Sequence, residues 1–355
     1  MTVALSEQER GRTAAVTGKP FPEMVRKAFY EGRRLVVPLI GFPGLNLIGC
    51  SVKLAQQNYG EHFKVLKAIA ERYHPDVVFP MMDLSVEANA IGRYTVFPKG
   101  ESATVVRDEF RPEDLEAAER VNISFDARLL GYVETLKLMS IGFPSGMLRG
   151  AYVTGPYTLA ALLMGAEEAA SSTVANAEML HEVCSFATSK IQQYLRLLIA
   201  AGAQIICVLE PSAVMLGPEQ FDEFSGMYVS HLCESCSETD VSTVYHVCGN
   251  SMHLIESMAR SGVDALSVDS PEAGVDLRLV AERTPEDIIL IGNLNPTGSI
   301  LCGTPEKVEK DVRDLLEKMR DYPNFVLSTG CDLPQETPDE NVLAFMNAGR
   351  TFRIK

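Results

Sequence analysis

The sequence predicts an α/β fold, a (β/α)8 TIM barrel formed as a single domain, and two observations support this prediction. Eight short apolar or β-branched runs alternate with longer stretches of helical periodicity along the 355 residues. Each run is continuously apolar, which is typical of parallel strands covered on both faces. A doubly wound open sheet is the alternative. Since no glycine-rich fingerprint follows the first run, we favour the barrel.

The predicted elements follow one another in a regular order. Residues 1–20 are expected to form an N-terminal arm, residues 21–355 the catalytic barrel, and residues 95–110 an insertion, folded as a hairpin. Helical stretches separate the strands, and Thr304, Pro305 and Glu306 together are typical of a helix start. The eight predicted strands are residues 34–40, 77–83, 147–155, 204–211, 242–249, 265–270, 288–295 and 324–332.

The composition argues against several classes of partner. The chain has 32 Lys and Arg residues against 47 Asp and Glu residues, a net charge of -15. Such a field repels nucleic acid and anionic membrane surfaces. No apolar stretch approaches the ~20 residues that a spanning helix needs, and no signal peptide is visible. We therefore expect a cytoplasmic protein whose eight cysteines are reduced thiols.

Polar side chains gather at the ends of the predicted strands, and in barrels of this type the chemistry lies at that face. His246 and Cys248 are two residues apart on one strand, so their side chains share a face. Cys331 ends the last strand, and Asp269 ends the strand beside that of His246. An imidazole and two thiolates, with a carboxylate or an open position, form a plausible tetrahedral zinc site.

Other polar residues are expected on the same rim. Asp83 is the candidate catalytic residue, and Glu210, Tyr152 and Asn295 are candidate substrate-binding residues. Asp83 and Glu210 could orient the substrate or take its proton. Either acid could instead cap the helix that follows its strand, which is a common use of an acid in that position.

A second His-x-Cys pattern has a different interpretation. His231 and Cys233 lie in a segment predicted to be helical, where residues two apart point about 200° away from each other and cannot converge. Cys233 and Cys236 do share a helical face, but packing is their expected role. The remaining cysteines are also expected to pack as small hydrophobes: Cys50, Cys184, Cys207 and Cys302.

Four segments resemble the uroporphyrinogen decarboxylase superfamily. They are residues 80–88 (PMMDLSVEA), 153–159 (VTGPYTL), 291–296 (IGNLNP) and 328–334 (STGCDLP). The resemblance extends from about Phe21 to Ala348, nearly the whole chain. It implies the same (β/α)8 fold that the strand pattern predicts.

Within this superfamily, the resemblance separates two activities. The decarboxylases carry an arginine-bearing segment near the first strand that holds the carboxylates of the substrate, and the matching residues 38–46 contain no arginine. The methylcobamide:coenzyme M methyltransferases have a zinc site written His-x-Cys with a distant Cys. That motif falls here on His246, Cys248 and Cys331. The oxygen ligand would fall near Asp269, where Glu is commoner in the family.

The resemblance therefore implies a zinc-dependent methyltransferase that moves a methyl group between a methylated corrinoid protein and a thiol such as coenzyme M. The thiol would bind zinc in an open position or in place of Asp269. Its sulfur would attack the methyl group on Co(III) and leave Co(I), with the methylcobalamin-type corrinoid held on a partner protein. Two thiolate ligands suit this chemistry, because they leave the bound substrate sulfur electron-rich and nucleophilic.

Three alternatives stay open. Methyl transfer could use another acceptor, such as tetrahydrofolate, or could run from a methylated substrate onto the corrinoid. The side chains that could line a pocket for either reaction are Phe42, Tyr152, Tyr245 and Met215. The chain could be a uroporphyrinogen decarboxylase. It could also be a non-catalytic partner of a corrinoid protein, with a closed structural zinc site.

Overall fold

The fold is given by a computed structural model that describes residues 18–98, 100–106 and 112–354. Most of the predicted N-terminal arm thus lies outside the described residues. Helix α1, Pro20–Tyr30, begins at the last residue of the predicted arm, one residue before the predicted start of the barrel. None of the described helices combines the length and the hydropathy needed to cross a lipid bilayer.

Seven parallel strands form one curled sheet, in which each strand pairs with the next. Each of the seven lies inside a strand predicted from the sequence. The spatial order follows the chain, as it does when helices connect successive parallel strands. The strands are β1 Val77–Val78, β4 Leu148–Thr154, β5 Ile205–Leu209, β6 Ser242–Val247, β7 Ala265–Val268, β8 Ile289–Leu294 and β9 Phe325–Thr329.

The first predicted strand, residues 34–40, is reduced to a single parallel bridge between Val36 and Leu327. On one side, Val37 N donates to Leu327 O at 2.8 Å, and on the other Asp76 N donates to Val36 O at 3.1 Å. The carboxylate of Asp76 accepts from Val36 N at 2.7 Å, so a side chain takes the place of a backbone partner there. The segment therefore lies between β9 and β1 without forming a regular ladder.

The predicted insertion forms a two-stranded antiparallel hairpin of β2, Thr95–Val96, and β3, Thr104–Val105. Residues 99 and 107–110 of this segment lie outside the described residues. The hairpin follows helix α5, Val86–Ala90, which comes after β1 in the chain. Its existence agrees with the prediction made from the sequence.

Helices lie between the strands, as the periodicity predicts. The predicted start at Thr304 is confirmed, since its side chain accepts from Lys307 N and Pro305 begins α16. A π-helical turn joins α11 to α12 at Asp222–Gly226. The helices are α1 Pro20–Tyr30, α2 Gly44–Ile48, α3 Val52–Gln57, α4 Tyr59–Tyr73, α5 Val86–Ala90, α6 Pro112–Glu119, α7 Ala127–Gly142, α8 Pro156–Met164, α9 Ala166–Ala175, α10 Ala177–Ala200, α11 Pro218–Phe221, α12 Met227–Cys236, α13 Ile255–Arg260, α14 Leu277–Arg283, α15 Ser299–Cys302, α16 Pro305–Lys318 and α17 Asp339–Thr351.

The core has two layers, because alternate strand residues point to opposite sides of the sheet. The larger apolar cluster lies between the sheet and the helices. The smaller cluster fills the concave side with residues from all seven strands and from residues 35–39. Its strand residues are Val77, Leu148, Tyr152, Ile205, Cys207, Leu209, Val244, Ala265, Ile289, Ile291 and Val326.

Helix α1 covers the amino-terminal end of this inner cluster with Phe21, Val25 and Ala28. An ion pair fixes the start of the helix, because Lys19 Nζ lies 2.8 Å from a carboxylate oxygen of Asp264, just before β7. Both side chains are largely shielded from solvent, and α1 therefore closes one end of the sheet.

All eight cysteines are free thiols. Cys50, Cys184 and Cys207 are buried, as expected, and Cys233 and Cys236 lie on α12, which confirms the helical interpretation of that segment. Cys302 contradicts the packing expectation. It is exposed at the end of the four-residue helix α15, where only Ile300 turns inward.

Candidate metal centre

The ligand atoms of His246, Cys248 and Cys331 meet at the carboxyl-terminal end of the sheet. His246 Nε2 lies 3.0 Å from Cys248 Sγ, the two sulfur atoms are 3.2 Å apart, and Cys331 Sγ lies 3.8 Å from His246 Nε2. One ion at the ~2.0–2.3 Å typical of zinc–nitrogen and zinc–sulfur bonds could contact all three atoms. No other group of three or more potential metal ligands comes together within the described ranges.

The strands bring these residues together from distant parts of the sequence. His246 is on β6 and Cys248 is the first residue past its end, so the two side chains share the inner face. Gly249 then turns the chain with a φ of 83°. Cys331 follows β9, which is separated from β6 by β7 and β8, so the contact between the sulfur atoms spans the concave side of the sheet.

Gly330 allows Cys331 to lie this close to Cys248 and His246. A Cβ atom at Gly330 would lie 2.7 Å from Ser270 N and 3.1 Å from Asp269 Oδ1, closer than side chains tolerate. The end of β9 can therefore pass beside the end of β7 only with glycine at this position.

Ser267 orients the imidazole ring of His246. These residues are register partners on β7 and β6, and His246 Nδ1 lies 3.0 Å from Ser267 Oγ. With Nδ1–H donating to this hydroxyl, the lone pair of Nε2 faces the two sulfur atoms, which is the usual support of a metal-binding histidine. The ring itself is almost fully buried, at 1% exposure.

The electrostatics of the group favour a cation. Burial lowers the pKa of His246, but its hydrogen bond to Cys331 and the negative charges of Cys331 and Asp269 outweigh this, so the net shift is upward. The hydrogen bond to Cys248 and burial raise the pKa of the Cys331 thiol well above its usual range. Both shifts favour the protonated forms of these two side chains, and a bound cation would take the place of those protons.

Asp269, the predicted fourth ligand, is not brought into this group. Its Oδ2 accepts from Gly249 N at 2.8 Å and its Oδ1 accepts from Ser270 N at 2.6 Å. The residue does lie beside the end of β6, as the strand order implied. Its carboxylate holds the turn after Cys248, and the sequence pattern could not reveal this role. Metal ligation by Asp269 stays a prediction.

Asp83, the candidate catalytic residue, is buried in a polar network. Its Oδ2 accepts from Tyr132 Oη at 2.6 Å and pairs with the Arg128 guanidinium, while its Oδ1 accepts from Ser85 Oγ at 2.7 Å. Arg128 also lies over the ring of Phe97, 4.8 Å from its centroid. Arg128 and Tyr132 lie on helix α7, more than forty positions from Asp83, so no local sequence pattern could reveal them as its partners.

Glu210, a candidate substrate-binding residue, caps a helix. Its Oε1 accepts from Tyr157 N and Ser225 Oγ, both at 2.9 Å, and its Oε2 accepts from Thr158 N at 2.8 Å. Burial raises the pKa of the Glu210 carboxyl, and the hydrogen bonds from Thr158, Ser225 and Tyr157 oppose this shift. The capped helix is α8, which precedes Glu210 in the chain, and not the following helix as considered from the sequence.

Asn295, another candidate substrate-binding residue, shapes the turn after β8. Its Oδ1 accepts from Thr297 N at 3.0 Å and from Thr297 Oγ1 at 3.1 Å. It also borders a cavity of about 340 Å³ together with Lys307 and Asp311. That cavity includes none of the three metal-ligand candidates.

Tyr152, the third candidate substrate-binding residue, lies in the inner cluster below the cysteine pair. Its ring stacks on Phe79 with the centroids 5.0 Å apart, and its side chain is only 7% exposed. Burial raises the pKa of Tyr152 well above its usual range, and the charges of Asp332, Cys331 and Cys248 add to this shift. Its buried Oη has no hydrogen-bond partner among the described residues.

Asp332, directly after Cys331, was not among the site residues expected from the sequence. Its Oδ2 accepts from Met82 N at 3.3 Å, and its buried Oδ1 has no partner in the described part of the chain. Burial raises the pKa of Asp332 to about 7, although backbone N–H groups and His246 oppose the shift. The available signal was its position, directly after Cys331.

Three of the four expected pocket residues lie elsewhere. Tyr245 faces the helical layer and its Oη lies 2.6 Å from Ser225 Oγ, because it alternates with His246 on the strand. Phe42 packs against the same outer cluster. Met215 is 81% exposed after β5 and lines no interior surface.

Comparison with known proteins connects this chain to two activities. A model of the uroporphyrinogen decarboxylase (URO-D) family matches residues 48–352. The chain is 26% identical over 243 residues to the methylcobamide:CoM methyltransferase MtbA of Methanosarcina acetivorans, covering 68% of this chain and 69% of that protein. It is 30% identical over 245 residues to a uroporphyrinogen decarboxylase of a Synechococcus species, covering 67% of each.

A solved structure shares the architecture. A methyltransferase from Methanosarcina mazei superimposes with a TM-score of 0.80 and 23% sequence identity, covering 89% of this chain and 93% of the other. A B12-independent methionine synthase from a Shewanella species gives a TM-score of 0.56 with 12% identity, covering 82% and 86%. At these identities the superpositions establish a common fold.

Proposed function

The chain belongs to the uroporphyrinogen decarboxylase family, and from this premise we propose that it is a zinc-dependent methyltransferase of the methylcobamide:thiol type. It would move a methyl group between a corrinoid protein and a small thiol. The observation that carries the proposal is the convergence of His246 Nε2 with the sulfur atoms of Cys248 and Cys331. The similarity to a protein named methylcobamide:CoM methyltransferase supports it.

The donor set fits zinc. One imidazole nitrogen and two thiolates are ligands that zinc prefers, and three protein ligands with an open fourth position are typical of catalytic rather than structural sites. Cys248 and Cys331 are only half-buried, so a substrate could reach the open position. When bound, zinc would keep a substrate thiol deprotonated at neutral pH.

The residues of the chain would have separate tasks in this reaction. Ser267 would hold His246 in the tautomer that ligates, and Cys248 and Cys331 would supply negative charge that keeps a neighbouring sulfur nucleophilic. Asp269 would fix the turn after Cys248, so that the first thiolate keeps its position.

We further infer that the sheet closes as a single-domain (β/α)8 barrel, with residues 34–40 as the first strand. The hydrogen bonds of Val36 and Val37 to both neighbouring segments support this closure. The carboxyl-terminal ends of the strands would then form the mouth, where a separate corrinoid protein would dock and present the methyl group.

The proposal is tested first by metal content. Purified protein should contain about one zinc per chain, and Cys248→Ala should lose both the metal and methylcobalamin-dependent methylation of thiols, because two ligands hold zinc poorly. Cys302→Ala is the matched control, since Cys302 is exposed on α15. Full activity in Cys248→Ala, or a carefully purified native protein without metal, would contradict the proposal.

Uroporphyrinogen decarboxylase is the second candidate, because a 30% identical relative has that name. The residues expected to bind such a substrate offer no free cation to pair with its carboxylates. Residues 38–46 contain neither lysine nor arginine, and Arg128 is already paired with Asp83. We therefore expect no turnover of uroporphyrinogen, and turnover that survives zinc removal would favour the decarboxylase instead.

A further inference from the structure

Asn293, on β8, holds the end of the neighbouring strand β7. Its Nδ2 donates to Asp269 O at 2.8 Å and to Val275 O at 3.1 Å, so one amide bridges the two ends of the loop that follows β7. Both acceptors are backbone carbonyls, and only the NH₂ end of the amide can face them. The side chain is 1% exposed, too little for direct contact with a substrate.

The loop end that Asn293 holds supports the turn after the first thiol. The carboxylate of Asp269 accepts from Gly249 N at 2.8 Å, and Gly249 directly follows Cys248. Because this carboxylate and the carbonyl bound by Asn293 belong to one residue, a shift of the Asp269 backbone would also move the turn. The position of the Cys248 sulfur therefore depends on Asn293 through a single intermediate residue.

The same loop end lies against the strand that carries the second thiol. A Cβ atom at Gly330 would lie 2.7 Å from Ser270 N and 3.1 Å from the carbonyl carbon of Asp269, so the two backbones are in direct contact. Gly330 N also donates to Leu294 O, on β8, at 2.8 Å. Since Cys331 directly follows Gly330, the end of β7 borders both turns that carry a thiol.

We propose that Asn293 is a positioning residue for the metal centre and keeps the sulfur atoms of Cys248 and Cys331 together at the strand ends. It acts through Asp269, and not by contact with the ion or the substrate. Ligands that come from distant parts of a sequence need such support, because a metal binds tightly only where its ligands are held in place. The inference rests on the proposed function and adds a residue to the machinery of that site.

Asn341, at the start of α17, is a matched control because it has the same features away from this centre. It is also 1% exposed, and its Nδ2 donates to Ile300 O and Gly303 O, both at 3.0 Å. In both asparagines Oδ1 has no partner among the described residues. Leucine has nearly the same branched shape and removes the donors without adding a charge, so both leucine variants should lose stability to a similar degree.

The first measurement follows the metal. Zinc affinity, determined by competition with a chelating dye, should fall about tenfold in Asn293→Leu and stay within about twofold of the native value in Asn341→Leu. In the Co(II)-substituted protein the sulfur-to-cobalt absorption should change only in Asn293→Leu, because this absorption depends on the coordination geometry.

The second measurement needs no metal. In the metal-free protein the oxidant diamide should join Cys248 to Cys331, whose sulfur atoms are 3.2 Å apart. The two thiols lose two electrons and two protons, which the azo bond of diamide takes up. This reaction should be slower by about threefold or more in Asn293→Leu, since the sulfur atoms would be held less closely, and unchanged in Asn341→Leu. Mass spectrometry of the peptides identifies the disulfide and follows its formation.

The outcomes separate this inference from the proposed function. A disulfide rate that is native in Asn293→Leu, or equally slow in both leucine variants, overturns the positioning role, whatever the zinc affinity. Slow disulfide formation in Asn293→Leu alone, in a protein that takes up neither zinc nor cobalt, supports the positioning role and overturns the proposed function. If Asn293→Leu does not fold, Asn293→Asp and Asn341→Asp decide by the same measurements, because aspartic acid keeps the shape and offers at most one donor.

Discussion

At the scale of single residues, Ser267 determines how His246 faces the two thiols. Its hydroxyl lies 3.0 Å from Nδ1, and both residues are register partners on neighbouring strands. Without this contact the buried ring could rotate or adopt the other tautomer, and Nε2 would no longer be fixed as the ligating atom.

We therefore predict that Ser267→Ala weakens zinc binding by about 10–100-fold, measured by competition with a chelating dye. Ser242→Ala is the control on the other end of β6, because the Ser242 hydroxyl is buried without a hydrogen-bond partner in the described residues. Equal zinc affinity in Ser267→Ala and Ser242→Ala would show that the ring needs no such support.

The sequence predicted the three metal-ligand candidates but not their surroundings. His246 and Cys248 could be paired because strand alternation is a local rule, and Cys331 could be added because strand ends share one rim. Asp269 was placed near them correctly. The carboxylate of Asp269 holds backbone amides, and Asp332 Oδ1 has no partner among the described residues. Both details depend on the exact path of the turns, which no local sequence pattern encodes.

At the scale of elements, helix α8 begins on a side chain from a neighbouring strand end. Glu210 follows β5 and accepts from the first free amides of α8, at Tyr157 and Thr158. Gly155 makes room for it, since a Cβ atom there would lie 2.2 Å from Glu210 Oε2. The carboxylate thus links two consecutive β–α units, and its charge favours the positive end of the helix dipole.

We predict that Glu210→Gln lowers the free energy of unfolding by about 2–3 kcal/mol, since the amide NH₂ would face donors and leave one of them unpaired. Glu182→Gln, at an exposed position of α10, should change it by less than about 0.5 kcal/mol. Urea unfolding of both variants measures the difference. A raised KM for the thiol with unchanged stability would instead support the substrate-binding role expected from the sequence.

The helical and strand elements themselves were largely predictable, with one informative difference. Residues 34–40 have the composition of a strand but form only the bridge at Val36. The reason is the carboxylate of Asp76, which accepts from Val36 N where a strand neighbour would otherwise bond. A side chain that takes the place of a backbone hydrogen-bond partner cannot be recognised from apolar periodicity.

At the scale of the whole molecule, the proposed closure of the sheet would depend on the few hydrogen bonds of residues 35–37. Leu327 N donates to Leu35 O at 3.1 Å and Val37 N donates to Leu327 O at 2.8 Å. These bonds join the last strand of the sheet to the segment that precedes the first. The sheet curls around the inner cluster, and its ends bring Cys331 to Cys248.

We predict that the amides of Val37 and Leu327 exchange with deuterium as slowly as that of Val208, in the middle of the sheet. The amide of Val96, on the exposed hairpin, should exchange orders of magnitude faster and provides the internal reference. Hydrogen exchange followed by mass spectrometry measures all four. Fast exchange at Val37 and Leu327 would mean that the sheet is open between β9 and β1.

The covered amino-terminal end of the sheet has a kinetic consequence. Among the described residues, α1 covers that end and apolar side chains fill the space behind it, so under the proposed function both substrates would enter from the carboxyl-terminal side. A small acceptor and a bulky donor protein would share this entrance, and the donor, once docked, would block the acceptor. The small molecule would have to arrive first and its product leave last, which is a compulsory order of binding and release.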